Sequence, residues 1–336
     1  MSDKAKQESL INLIESATSL DVVKEFLRSK NLSHTAGSWQ EMREARLQRH
    51  LNDDKLTTID LLKLLTGAEE CGAQHVFLYQ GDKKRAGELI DRARVGEILK
   101  NRDLERLLRE ADVETMPEVP TIVDVRWETA GVDSSLIIKE VEARNKRVFL
   151  GTETKDNRFY KIYTDEPVRA VNVAKLHRDG FLEIRLQARN NTTKYDTDLS
   201  RFHRQIESFI PWTEFAEISL DTAKDTMWIK REELSDLLRY TDASVCDQDG
   251  NVVHAYTGSP KNNLSQSNAG KCVDLLMKED AKAYCSDSNL WFKKTDGLSS
   301  DVHVLLNGET NEIALPAKCS AADYEYVLNK IRFLNR

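Results

Sequence analysis

The chain has 336 residues, 40% hydrophobic and 31% charged, with 49 Lys/Arg against 56 Asp/Glu and a formal net charge of -7. That balance is too apolar for a disordered chain and long enough for two or three domains. With 6 prolines and 14 glycines it is neither collagen-like nor linker-dominated.

No apolar run approaches the roughly 20 residues that span a bilayer. The opening stretch MSDKAKQESLINLIESATSL lacks the apolar core of a signal peptide and the acid-free pattern of a transit peptide. A cytoplasmic protein is expected, with nuclear import in a complex left open. The cysteines, Cys71, Cys246, Cys272, Cys285 and Cys319, are odd in number and form no C-x-x-C pair, so reduced and mostly buried thiols are expected.

The first segment, to about Glu114, reads as helical. Leu10, Leu13 and Ile14 form one apolar stripe, and Val22, Val23, Phe26 and Leu27 a second, with Ser19 or Asp21 as cap. In SWQEMREARLQRHL, Trp39, Met42, Ala45, Leu47 and Leu51 alternate with Arg43, Arg46 and Arg49. Thr57-Thr58 starts a helix with Ile59, Leu61, Leu62, Leu64 and Leu65 inward. AQHVFLYQ fits a short helix or a strand, and Lys83 to Ala111 is helical again, with Val95, Ile98, Leu99, Leu104, Leu107 and Leu108 inward. Residues 1–120 carry 19 Lys/Arg against 22 Asp/Glu, a near balance.

MPEVP, Met116 to Pro120, marks a domain boundary, after which the apolar period becomes two. TIVDVRW reads as a strand, SLIIKEVEA and RVFLG as a hairpin turning near Asn145-Lys146, and NRFYKIYT as a strand after a turn at Lys155-Asp156-Asn157. In FLEIRLQAR, Leu182, Ile184, Leu186 and Ala188 point one way, and Glu183, Arg185, Gln187 and Arg189 the other. LSRFHRQIESFI is an amphipathic helix burying Leu199, Phe202, Ile206 and Phe209, with Arg201, Arg204 and Gln205 outward.

Residues 211–240 are transitional apart from a short helix, REELSDLLR. Asp249-Gly250 turns a hairpin, GSPKNNLSQSNAG is a loop, and GKCVDLLMKEDAKAY a helix. LWFKK, a hairpin at Asn307-Gly308 and a last helix capped by Ser320 complete the chain. The expected class is α+β, with a helical domain over residues 1–115, a central α+β domain over 121–240, mostly antiparallel, and a small α+β unit over 241–336.

Positive charge concentrates between Arg144 and Arg204, where 14 Lys/Arg face 8 Asp/Glu, a local excess of 14 − 8 = +6 in an acidic protein. Such an excess is the footprint of a surface that meets phosphates or an acidic partner. The candidate nucleic-acid-binding residues are Lys146, Arg147, Lys155, Arg158, Lys161, Arg185, Arg189, Arg201 and Arg204, with Phe159, Tyr160 and Tyr163 interleaved as stacking groups. The competing reading is a solvated face whose charges pair with local acids.

Other motifs argue less. Asp133 followed by Glu153-x-Lys155 has the residue types of a PD-(D/E)xK nuclease, in which paired carboxylates hold a divalent ion and lysine orients water. E-x-K is common by chance, and GTETKDN looks like a turn. Gly270-Lys271 resembles half a P-loop, but Ser265 stands where the first glycine is required and Cys272 where Ser/Thr would reach the metal, which rejects nucleotide binding there. His75, His177, His203, His254 and His303 show no catalytic or metal-ligand spacing and read as core or surface residues; the five tryptophans read as core anchors, with an exposed one able to serve a partner interface. No catalytic residue, metal ligand or cofactor is assigned.

The order of parts resembles centromere protein N, a kinetochore family that binds nucleosomal DNA and histone. The resemblance lies in VVKEFLRSKNL…MREARLQRHL…LLKLLTGAEECGAQHVFLYQ and in VNVAKLHRDGFLEIRLQAR with the helix that follows. It covers about half the chain and consists mainly of hydrophobic spacing. It implies a helical pyrin-like domain followed by a mixed α/β domain and transfers no individual binding residue. The overall expectation is a non-enzymatic nucleic-acid-binding or adaptor protein, with DNA or an acidic protein surface as partner, other subunits of a complex plausible and no membrane. A pure interaction scaffold and a metal-dependent nuclease are the alternatives.

Overall fold

The computed structural model describes residues 3–109, 111–112, 116–130, 133–189, 194–295 and 297–336. The fold is α+β, built as two compact units, Met1–Tyr79 with Glu217–Arg336, and Gln80–Ala216. This division differs from the three consecutive segments read from the sequence. The N-terminal helices and the C-terminal third belong to one unit, and Met116–Pro120 lies inside the other. The helical end expected near Glu114 lies outside the described residues.

The first unit begins with α1 (Asp3–Ala17) and α2 (Leu20–Ser29), which bury Leu10, Ile11, Ile14, Val23 and Leu27. A helical run follows as α3 (Trp39–Glu41), a π-helical stretch Met42–Gln48 and α4 (Arg49–Asn52). α5 (Thr58–Glu70) starts at a capping box, in which Thr57 Oγ1 accepts from the Asp60 amide and the Asp60 carboxylate accepts from the Thr57 amide. A hydrogen bond from Lys30, with help from Thr57, holds the Asp60 carboxyl down at about 2 against the opposing effect of burial. AQHVFLYQ resolves as a strand, β1 (Gly72–Gln80), because its partner is supplied from the far end of the chain.

The second unit holds α6 (Lys83–Leu89) and α7 (Arg92–Asn101), both capped by aspartates, Asp82 and Asp91. Then come β2 (Thr121–Ala130), β3 (Asp133–Lys155), β4 (Arg158–His177) and β5 (Phe181–Gln187), an antiparallel sheet in that order, and α8 (Asp196–Ile206). Phe202 and Ile206 of α8, with Phe209 and Ile210 beyond it, are buried as the amphipathic pattern requires. The hairpin turn expected near Asn145-Lys146 is absent, since β3 runs unbroken to Lys155. The turn falls at Asp156-Asn157, whose φ values of 53 and 57 suit residues that tolerate the left-handed region in a two-residue hairpin.

The chain returns to the first unit after a two-residue strand, β6 (Ala216–Glu217). α9 (Asp221–Ile229) occupies a stretch that the sequence left transitional. REELSDLLR, expected as a helix, is instead a series of turns ending in β7 (Leu238–Cys246), where pairing with β9 overrides local helix propensity. β8 (Val252–Tyr256), α10 (Asn268–Glu279), β9 (Tyr284–Phe292), β10 (Val302–Leu306), β11 (Glu312–Lys318) and α11 (Ala321–Leu334) complete it. α10 stops at Glu279, short of the expected Tyr284, which opens β9. The strand order is β1-β11-β10-β9-β7-β8, with every pair antiparallel. Trp228, Tyr240, Leu290, Phe292, Val304 and Tyr324 are among its buried core side chains. At Gly72 a Cβ would meet Lys318 Cα at 2.7 Å, so the β1–β11 approach requires glycine there.

The five cysteines are free thiols, four of them buried and Cys272 exposed. Among the described residues no helix is long and apolar enough to cross a membrane.

Candidate nucleic-acid interface

Two halves of one hairpin provide the site. β3 and β4 pair from Ser135↔His177 to Lys155↔Arg158, but β2 accompanies them only as far as Val141, and β5 pairs with β4 only over Asn172–Leu176. Beyond that root the two strands continue alone as a ribbon over residues 145–168, about 35 Å long at about 3.3 Å per residue. Nearly every ribbon side chain is exposed, on both faces. A register shift between Phe149 and Gly151 marks a bulge, which sharpens the local twist.

Cross-strand pairing fixes which side chains share a face, because successive residues alternate. One face carries Phe159, Lys161, Tyr163, Phe149 and Arg147, with Thr152, Thr154 and a single acid, Asp165, at its inner end. Phe159 is 81% exposed. Phe149 meets Tyr163 edge-on with ring centroids 5.5 Å apart, and the Arg147 guanidinium lies 4.6 Å from the centre of the Tyr163 ring. Aromatic surfaces and cations thus alternate along this face. The opposite face carries Lys155, Arg158, Tyr160 and Ile162 near the tip and Lys146 near the root, mixed with Glu153 and Glu166. Among the described residues Lys146, Arg147, Lys155, Arg158 and Lys161 form no ion pair, so these five sequence candidates are available to a ligand.

The other four candidates do not join them. Arg185 is 2% exposed and donates to Glu183 at 2.7 Å, and Glu183 in turn accepts from His177 at 2.6 Å. Burial raises the Glu183 carboxyl, but Arg185, His177 and Lys175 outweigh it and hold the group well below the ordinary range. Arg189 grips Asp198 with two bonds of 2.7 and 2.8 Å. Arg201 reaches from α8 to Glu142 at 2.6 Å. Arg204, exposed on α8, forms no ion pair among the described residues, and its Nε donates to the Ser200 carbonyl. The basic face read from the sequence is therefore split between internal clamps and the ribbon.

The clamps form a buried network at the ribbon's root. Arg144 donates to Glu142 at 2.5 Å and to the Gln187 carbonyl at 2.6 Å, and Asn172 donates to Glu140 at 2.9 Å. Burial pushes the Glu140 carboxyl up, opposed by Asn172 and Arg201. These residues escaped the sequence reading, yet a signal exists: Asp124-x-Arg126, Glu142-x-Arg144 and Glu183-x-Arg185 each place an acid and an arginine two apart on a strand, hence side by side on one face.

The nuclease residues are not brought together. Asp133 opens β3 and its side chain lies outside the described residues, while Glu153 and Lys155 sit near the far end of the same unbroken strand, about 65–75 Å along it at about 3.3 Å per residue. Among the described residues no group of three His, Cys, Asp or Glu side chains is placed to hold a metal ion. Arg43 pairs with Glu15 and Arg46 with Glu41, and in the Lys83–Arg94 region Arg85 pairs with Glu214 while Arg94 caps the carbonyls of Leu89, Ser208 and Phe209. Gly270 packs inside the first turn of α10, where a Cβ would meet the Leu264 carbonyl oxygen at 2.4 Å. Of the five tryptophans only Trp228 is fully buried, so the expectation of five core anchors fails. His254 and His303, dismissed singly in the sequence, line one cavity in the first unit.

Comparison with known proteins gives no match: no family model fits the chain, and no curated protein matches it.

Proposed function

We propose that the protein is a non-enzymatic binding protein whose working surface is the ribbon at residues 145–168, and that its ligand is nucleic acid. The carrying observation is the face on which Phe149, Phe159 and Tyr163 alternate with Arg147 and Lys161. Aromatic rings accept bases of any sequence by stacking, and the cations between them neutralise phosphates. A two-stranded ribbon is also narrow enough to enter the major groove of a duplex. The resemblance in domain order to centromere protein N supports the same class of function.

The test is binding of short single- and double-stranded DNA and RNA, followed by fluorescence anisotropy across a salt series. Two to five neutralised phosphates at about −0.7 each predict a log–log salt slope between about −1.4 and −3.5 on single strands. Phe159→Ala should weaken binding about five- to 150-fold, since each stacked base contributes about 1–3 kcal/mol, and Lys161→Glu should flatten the slope. Arg185 and Arg189 are unsuitable probes because their variants would disturb internal clamps. No binding at low salt would sink this reading.

One observation favours a second reading. Glu153, Asp156, Asp165 and Glu166 reduce the ribbon's charge to 5 − 4 = +1, and Leu150 at its bulge is 63% exposed. A weakly charged, apolar ribbon suits a protein partner. Salt-insensitive capture of a protein partner, lost in Leu150→Ser, would support that alternative.

A further inference from the structure

In the first unit the helix-free face of β7, β8, β9 and β10 holds a cavity of about 540 Å³, rimmed by residues 257–260. That volume lies in the range of about 300–1,000 Å³ typical of small-ligand sites. Its position on the other unit makes it independent of the ribbon and of the function proposed above.

The walls are a connected polar array between flat rings. Asn289 Nδ2 donates to Asp242 Oδ2 at 2.8 Å, which fixes the amide orientation. Its Oδ1 then accepts from Thr241 Oγ1 at 2.8 Å and from His303 Nε2 at 2.6 Å. The proton of His303 is therefore on Nε2, and burial keeps the ring neutral, leaving Nδ1 as an acceptor. The second oxygen of Asp242 makes no hydrogen bond among the described residues. Burial raises the Asp242 carboxyl, partly offset by Asn289, so a donor arriving at that oxygen meets a desolvated acceptor. Trp291 stacks on His303 with centroids 4.5 Å apart and planes 9° apart, and Tyr256 lies against His254 at 5.9 Å and 27°. Tyr256 and Asp242 are register partners, as are Trp291 and His303, so the two ring pairs flank the Asp242–Asn289 pair.

The geometry points to a site for a flat nitrogen heterocycle bearing an exocyclic amine, the class of adenine, guanine and cytosine bases. Such a ligand stacks on the rings and donates its amine to Asp242, with His303 Nδ1 as second acceptor. The same array disfavours a base that presents carbonyls there, because a carbonyl facing the Asp242 carboxylate has no proton to share.

The experiment is isothermal titration of the full chain with adenosine, guanosine, cytidine and uridine. Nucleosides lack phosphate, so a failure here leaves the ribbon reading intact, and failure of nucleic-acid binding leaves this site intact. At least one amino-bearing nucleoside should bind at least tenfold more tightly than uridine, and Asp242→Asn should remove that preference. Tyr256→Ala, at a side chain too exposed to matter for folding, should weaken binding severalfold. Absence of binding by all three amino-bearing nucleosides at millimolar concentration overturns the inference. So does uridine binding as well as they do, or an unchanged preference in Asp242→Asn protein whose unfolding midpoint matches wild type.

Discussion

The root and the blade of the β3–β4 hairpin are made of the same two strands and differ in almost everything else. At the root, charged side chains are sealed in: Glu183, 0% exposed, is balanced by Arg185 and His177, and Glu142 by Arg144 and Arg201. On the blade comparable charges stand in solvent beside exposed aromatic rings. The difference teaches that a local excess of lysine and arginine does not by itself locate a binding surface. Neighbouring strands and α8 convert half of it into internal clamps, and only where those neighbours end does the charge become available.

The comparison is tested most severely by removing one charge from each region. Arg185→Ala strips the fully buried Glu183 of its main counter-ion, leaving His177 and Lys175, and should cost about 3–5 kcal/mol in urea unfolding. Lys161→Ala on the blade should stay within about 0.5 kcal/mol. Equal effects would end the distinction between root and blade.

Acid should unfold the second unit through its buried groups. Burial lowers the His203 imidazolium to about 4 from the ordinary 6.5, so between those values the unfolded chain binds the extra proton. The stability linked to His203 is full above about pH 6.5 and falls as pH drops toward 4, by up to about 3 kcal/mol. Glu183, held low by Arg185 and His177, contributes stability that is present above its unfolded value and lost as pH falls through its folded one. In a pH series of urea midpoints, His203→Gln should reduce the slope between about pH 6.5 and 4 to the contribution of His303, which burial also lowers, and leave the acid limb below it.

Much of this architecture was legible. The amphipathic stripe of α8, the Thr57 start of α5, the Asp249-Gly250 and Asn307-Gly308 hairpins and the Asp156-Asn157 turn all follow from local chemistry. What was not legible depends on partners distant in the chain. AQHVFLYQ is a strand because β11 pairs with it, and REELSDLLR yields to sheet pairing despite a helical composition. Of the nine candidate binding residues, those on the ribbon remained plausible because no neighbour covers them. Arg185, Arg189 and Arg201 failed because the charged face of an amphipathic strand or helix looks the same in sequence whether it meets water or its own counter-ions. The Asp242–Asn289–His303 array was invisible, since its members come from three strands.

Two smaller effects sharpen the contrast. Backbone amides of residues 145–168 should exchange with solvent markedly faster than those of residues 135–144 and 169–177, because two strands without flanking partners open at little cost; equal protection would contradict the ribbon. At the tip, Asn157→Gly relieves a left-handed φ of 57 and should stabilise the turn by up to about 1 kcal/mol, seen as slower exchange in the residues flanking it.

The register between β1 and β11 carries a consequence for biosynthesis. Gly72 pairs with Lys318 and Phe77 with Glu312, so the first unit's sheet joins segments about 240 residues apart in the chain, with the whole of Gln80–Ala216 between them. A ribosome delivers the inserted unit complete while the surrounding one still lacks β7 to β11, five of the six strands in its order. Val76, Phe77, Leu78 and Tyr79, buried in the finished protein, can meet the short β6 early but must wait for their β11 edge until residues 312–318 emerge. The order of synthesis and the order of pairing are thus opposed in this chain: its earliest strand is among the last to be paired on both edges.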